Sequence, residues 1–149
     1  MDKTQFLDFL THFVQSKIDF LQQEISDIQR DNASDTKSTA GDKHETGRAM
    51  MHLEIEKLAH QVAEYQQQLQ TIHHFKHLST TTNCIANGTL IQLSTGWFFL
   101  GVALGKVTYE NTPVFCLSQQ APLGQQLLGK KVGEDIKVNA STLRIVKIY

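Results

Sequence analysis

The chain has only two cysteines, Cys84 and Cys116, and they form neither a Cys-x-x-Cys pair nor a closely spaced set. A disulfide framework and a thiolate zinc site are therefore unsupported, and reduced, partly buried thiols are expected. No apolar stretch approaches the length of a membrane span. The start, Met1-Asp2-Lys3-Thr4-Gln5, lacks the basic, then apolar, pattern of a secretory signal, so a soluble protein of the cytoplasm is expected. Internal repeats and low-complexity tracts are also missing. A general excess of Lys and Arg is missing too: the formal net charge is −1. That balance excludes a uniform polyanion binder, which needs a basic face. With 40% hydrophobic and 19% charged residues, the composition is that of an ordinary folded protein.

The near-neutral total conceals two unlike halves. Residues 1–77 carry 8 Lys/Arg against 12 Asp/Glu, a net −4, and residues 78–149 carry 6 against 3, a net +3. In the first half Leu7, Leu10, Val14, Ile18, Leu21, Ile25 and Ile28 recur at steps of three and four, which predicts an amphipathic helix. Phe6, Phe9, Phe13 and Phe20 widen the apolar arc of its first turns beyond what one partner helix can cover. The aromatic base is therefore expected to pack on the second half of the chain as well. From Met51 through Ile55, Leu58, Val62, Tyr65 and Leu69 to Ile72 the steps alternate four and three, a heptad seam. Two such seams joined by the polar residues 31–41 predict an antiparallel coiled-coil hairpin over residues 1–77, its tip near 35–48.

After Leu78 the pattern changes to short apolar runs punctuated by Gly88, Gly96, Gly101 and Gly105, then Val114–Leu117 and Leu143–Tyr149. These predict a sheet of about four to six strands. The fold class is thus α+β, with residues 1–77 helical and 78–149 a small sheet domain. Between the strands, Ala121-Pro122-Leu123-Gly124-Gln125-Gln126-Leu127-Leu128-Gly129-Lys130-Lys131-Val132-Gly133-Glu134-Asp135 encodes a short helix. Pro122 suits its first position, Leu123, Leu127 and Leu128 are expected to face inward, Gly129 is a left-handed cap, and Gly133 turns the chain into a last hairpin.

Read only as a local structure code, that string needs no function. It also resembles the C-terminal signature of the Gre-type transcription factors, in which Ser-Pro-x-Gly or a close variant precedes Leu-Leu/Ile-Gly-Lys and a Val-Gly-Asp-like turn. Here Gly133-Glu134-Asp135 stands where many relatives have Gly-Asp. The resemblance implies an FKBP-like C-terminal domain that docks on the rim of RNA polymerase's secondary channel, with Pro122, Leu123, Gly124, Leu128, Gly129, Lys130 and Gly133 as the docking signature.

Gly41-Asp42-Lys43-His44-Glu45-Thr46-Gly47-Arg48, between the two seams, resembles the acidic tip of the Gre hairpin. The match puts Asp42 and Glu45 on the tip carboxylates. It implies that these two enter the channel and help hold a Mg2+ ion shared with the polymerase in the complex, where paired cations stabilise the attacking and leaving oxygens of a phosphodiester displacement. No ion bound tightly by the chain alone is expected. As a helix start, the same residues read as an Asp42 N-cap with Glu45 closing a capping box, and the two roles are compatible. Lys43-His44 replace the hydrophobic-Ser pair usual between the acids, a departure that bears on cleavage more than on channel binding.

Arg30, Lys37, Lys43 and Arg48 surround the tip and could meet RNA phosphates, including the RNA 3′ end, or acidic groups of the polymerase; a solvated, charge-mixed helix end accounts for them equally well. His52, His60, His73, His74 and His77 lack zinc-ligand geometry and are expected in solvent. The resemblance implies a monomeric accessory factor, with no turnover of its own, that stimulates the polymerase's cleavage of backtracked RNA. Two other readings compete: a Gre-like channel-binding modulator or inhibitor without cleavage, and an FKBP-like peptide-binding module with a coiled-coil handle. A Cys-dependent acyl transferase using Cys84 or Cys116 fails on chain length and on the absence of a nucleophile turn.

Overall fold

The computed structural model describes the backbone of residues 1–35, 41–78 and 83–149, and the side chains of these except 34, 35 and 41–44. The architecture is α+β: a hairpin of two packed helices, a six-stranded mixed sheet and one short helix. Helix α1 runs Lys3–Asp35 and α2 runs Gly41–His77. Asp2 caps α1, its carboxylate accepting the Gln5 backbone N–H at 2.9 Å, which satisfies one of the N–H groups that the first turn leaves without a partner. At about 1.5 Å per residue, the helices are roughly 50 and 55 Å long.

The chain divides into two compact units, one of residues Met1–Thr11 and Gln70–Tyr149, the other of His12–Leu69. In the second unit the predicted seam is the buried stripe. Val14, Ile18 and Leu21 of α1 and Leu58 and Val62 of α2 are buried, while Ile25, Ile28, Met51 and Ile55 are half-buried. Phe20 departs from the expected aromatic arc, being 62% exposed, because only the seam positions face the partner helix.

In the first unit, strands β1 (Thr89–Leu93), β2 (Gly96–Leu100), β3 (Gly105–Tyr109), β4 (Thr112–Leu117), β5 (Asp135–Val138) and β6 (Ser141–Ile148) order as β3-β4-β2-β1-β6-β5. All pairings are antiparallel except β2 with β4. The tight turn between β3 and β4 is Glu110-Asn111, both at positive φ, as a two-residue hairpin of this hand requires.

The sheet has two buried faces. On one, Leu90, Phe99, Val107, Val114 and Cys116 are buried, and there Phe6 of α1 lies 5.6 Å from both Phe99 and Tyr109, and Phe9 lies 5.1 Å from Tyr109. The expected packing of the aromatic base on the sheet is thus present. Phe75, at the end of α2, fits a slot walled by two glycines: a Cβ on Gly88 or on Gly101 would come within 2.6 Å of its ring. On the other face Ile91, Leu93, Leu100, Leu143 and Ile145 form a second core with Ile85, Ile136 and Leu127, the last from helix α3 (Pro122–Leu127).

Candidate functional site

The string around α3 is assembled from local rules. Ala121 is extended before the helix, Pro122 occupies the first turn, where its missing N–H costs nothing, and Gly129 is left-handed at φ +79° just past the end. Gly124 is buried, and a Cβ there would collide with the Ser118 carbonyl oxygen and press on Leu100, so the Pro-Leu-Gly order lets α3 lie directly on the preceding backbone. Leu127 is fully buried and Leu123 half-buried. Leu128 corrects the expectation: it is 46% exposed, because the helix ends at Leu127 and Leu128, with ψ 129°, turns its side chain away from the core.

Beyond the helix, Gly129 N–H donates to the Ile85 carbonyl and Ile85 N–H to the Lys130 carbonyl, both at 2.7 Å, which staples the string to the segment before β1. Gly133, at φ +88°, opens the turn into β5. Glu134 has its own task there, accepting the Lys131 backbone N–H at 2.5 Å and lying 3.5 Å from Lys130 Nζ. Asp135 takes a two-pronged pair of hydrogen bonds from Arg144 across the strand, at 2.9 and 3.1 Å. The Lys131 N–H holds the Glu134 carboxyl below its ordinary range, and the Arg144 guanidinium does the same for Asp135.

Both shifts have the same sign for stability. The unfolded chain takes up protons at the ordinary values near 4.5 and 3.8, and the folded chain only at lower pH. Their contribution is therefore complete above that range and fades as pH falls through it toward the folded values. Denaturant titrations from neutral pH to about pH 3 are expected to show a shallower acid-side loss in a Glu134→Gln/Asp135→Asn variant than in the parent. An unchanged slope would contradict these assignments.

At the tip, α2 begins at Gly41, so residue 42 lies within the first helical turn and not before it, as an N-cap would. Positions 42 and 45 are three apart in the same helix, the spacing that puts two residues on one face. Glu45 is exposed; the side chains of Asp42 and Lys43, and all of Lys37, lie outside the described residues. Arg30 is exposed and 3.5 Å from Asp27, and Arg48 is exposed. Beside the tip, Ile28, Asp31, Met50, Met51 and Glu54 line a shallow cleft of about 380 Å³.

Compared with known proteins, the chain matches no family model and no curated protein.

The remaining polar chemistry is sparse. Among the described residues no three His, Cys, Asp or Glu side chains converge as a metal site would need, and the five histidines of α2 from His52 to His77 are exposed. Burial pushes the Cys116 thiol up to about 12, so it is protonated and unreactive at neutral pH. Among the described residues no helix is long and apolar enough to cross a membrane. Phe75 and the Gly88/Gly101 slot were not legible as a unit in the sequence, since glycines 13 and 26 positions after the ring give no periodic signal.

Proposed function

We propose that this protein is a Gre-type transcription factor of the cytoplasm, a monomer that binds RNA polymerase at its secondary channel and stimulates the enzyme's own cleavage of backtracked RNA. The observation that carries this reading is a co-occurrence in one chain. A helical hairpin has acidic positions 42 and 45 in the opening turns of its second helix, and the Pro122-to-Gly133 string that resembles the Gre docking signature is built around one short helix on a sheet. The protein is then an accessory factor and the catalyst is the polymerase.

On this reading Asp42 and Glu45 reach the polymerase active site. Their hard carboxylate oxygens, on one face of a helix, suit a Mg2+ ion shared with the polymerase, which when bound supplies charge stabilisation for the displacement at phosphorus. The chain's own work is positional: one helix carries both acidic positions three residues apart, and Arg30, Lys37, Lys43 and Arg48 are the cationic residues proposed to meet RNA phosphates or acidic polymerase side chains. The unit built around α3 supplies the docking surface at the channel rim.

Lys43 and His44, cationic or polar where the family has a hydrophobic-Ser pair, favour a second reading in which the protein occupies the channel and modulates or inhibits without stimulating cleavage. Both readings require channel entry. A photo-crosslinker placed at Glu45 of the full chain is expected to react with core polymerase near the active site or with the RNA 3′ end. Reaction confined to the outer surface, or no binding of cognate core enzyme, would remove both readings.

A further inference from the structure

Strand β5 closes one side of the sheet and, among the described residues, pairs only with β6. Its register shows which backbone groups are left over. Ile145 N–H donates to the Glu134 carbonyl, so 134 and 145 form a hydrogen-bonded pair and Asp135 with Arg144 the next, non-bonded one. Alternation makes Lys137 with Thr142 non-bonded as well. The N–H and C=O of Asp135 and Lys137 therefore point away from β6, along the open edge.

That edge lies beside a groove of about 390 Å³, lined on one side by Gln125, Leu128 and Lys130 and on the other by Asp135, Ile136 and Lys137. Proteins ordinarily cover or blunt such an edge. Here the helix next to it leaves a trough, and Leu128, turned out of the core, presents an apolar side chain to it. The charge is one-sided. Asp135 is committed to Arg144, Lys130 meets Glu134 only at 3.5 Å, and Lys137 is exposed with no carboxylate partner among the described residues.

From the open edge, the groove and its charge, we infer that β5 accepts an extended acidic peptide segment of a partner protein as a seventh strand. The peptide's backbone bonds Asp135 and Lys137, its apolar side chains turn toward Leu128 and its alternate acidic side chains toward Lys137. Main-chain bonds give such a mode its affinity and the alternation gives it selectivity. The proposal does not rest on the polymerase reading, although Leu128 and Lys130 belong both to this groove and to the string that resembles the docking signature.

The test uses the full chain and a labelled, end-blocked peptide of sequence Glu-Val-Glu-Val-Glu-Val-Glu. Saturable binding by fluorescence anisotropy is expected, with the amide signals of Asp135 and Lys137 shifted and protected from exchange. Lys137→Glu, at an exposed position outside the cores, is expected to weaken binding about tenfold or more, the scale of one charge-assisted hydrogen bond. N-methylation of one alternate set of peptide residues, all Glu or all Val, is expected to abolish binding and that of the other to spare it, because only one set of N–H groups faces the edge. No saturation at millimolar peptide, unchanged affinity in Lys137→Glu, indifference to N-methylation, or shifts that spare β5 would each overturn the proposal. So would a concentration-dependent dimer of the chain that excludes the peptide, since the edge would then serve a second copy.

Discussion

Phe75→Ala is expected to destabilise the sheet-containing unit by about 3–5 kcal/mol, the range for removing a fully buried phenylalanine ring. Phe75 is 3% exposed, lies edge-on to Phe99 at 5.9 Å and fills the slot between Gly88 and Gly101. Both glycine walls are backbone, which limits how far the site can collapse after the ring is removed. Gly88→Ala tests the same slot from the other side: it adds a methyl group against the ring and forces an alanine to φ +87°, so it should also destabilise. Chemical denaturation of both variants measures the effect. A loss below about 1 kcal/mol for Phe75→Ala would mean that the slot is loosely filled.

In the other unit, Leu58→Asp is expected to unfold the hairpin arm. Leu58 is 6% exposed in the middle of the seam, and an unpaired carboxylate there faces Val14-to-Leu21 apolar surface, at about 4 kcal/mol or more. Because the bases of both helices belong to the unit that holds the sheet, the loss should be local. Helical circular dichroism should fall while the fluorescence of Trp97, the only tryptophan, stays native. A full helical signal in the variant would show that residue 58 does not face the partner helix.

The same division explains how far the sequence could be read. A heptad seam is a local pattern, so the residues from Leu7 to Ile28 and from Met51 to Ile72 announced the hairpin, and the glycine-punctuated runs announced strands. What stayed hidden depends on partners distant in sequence. The parallel pairing of β2 with β4 arises because β3 passes to the far side of β4 before the chain returns, and nothing in Gly105–Tyr109 encodes that choice. Cutting the chain after His77, where helix gives way to strand, would separate the buried Phe6, Leu10, Ile72 and Phe75 from the sheet whose compact unit they share. Leu128 reads as core from helical spacing and is exposed because its helix stops one residue earlier. At the tip, helical spacing alone sets positions 42 and 45 on one face, which was legible; what those carboxylates meet depends on a partner.

Those two acidic positions are proposed to stimulate RNA cleavage inside RNA polymerase. Asp42→Asn and Glu45→Gln remove charge with little change of shape, and both residue types are tolerated in a helix's opening turns. The most direct measurement is transcript cleavage in stalled, backtracked complexes of the cognate polymerase, comparing the parent with the double variant at concentrations that saturate binding. Cleavage stimulated by the parent and lost in a double variant that still binds the polymerase and competes for the channel is the predicted result. Equal stimulation by the two proteins, or binding without any stimulation by the parent, would contradict it.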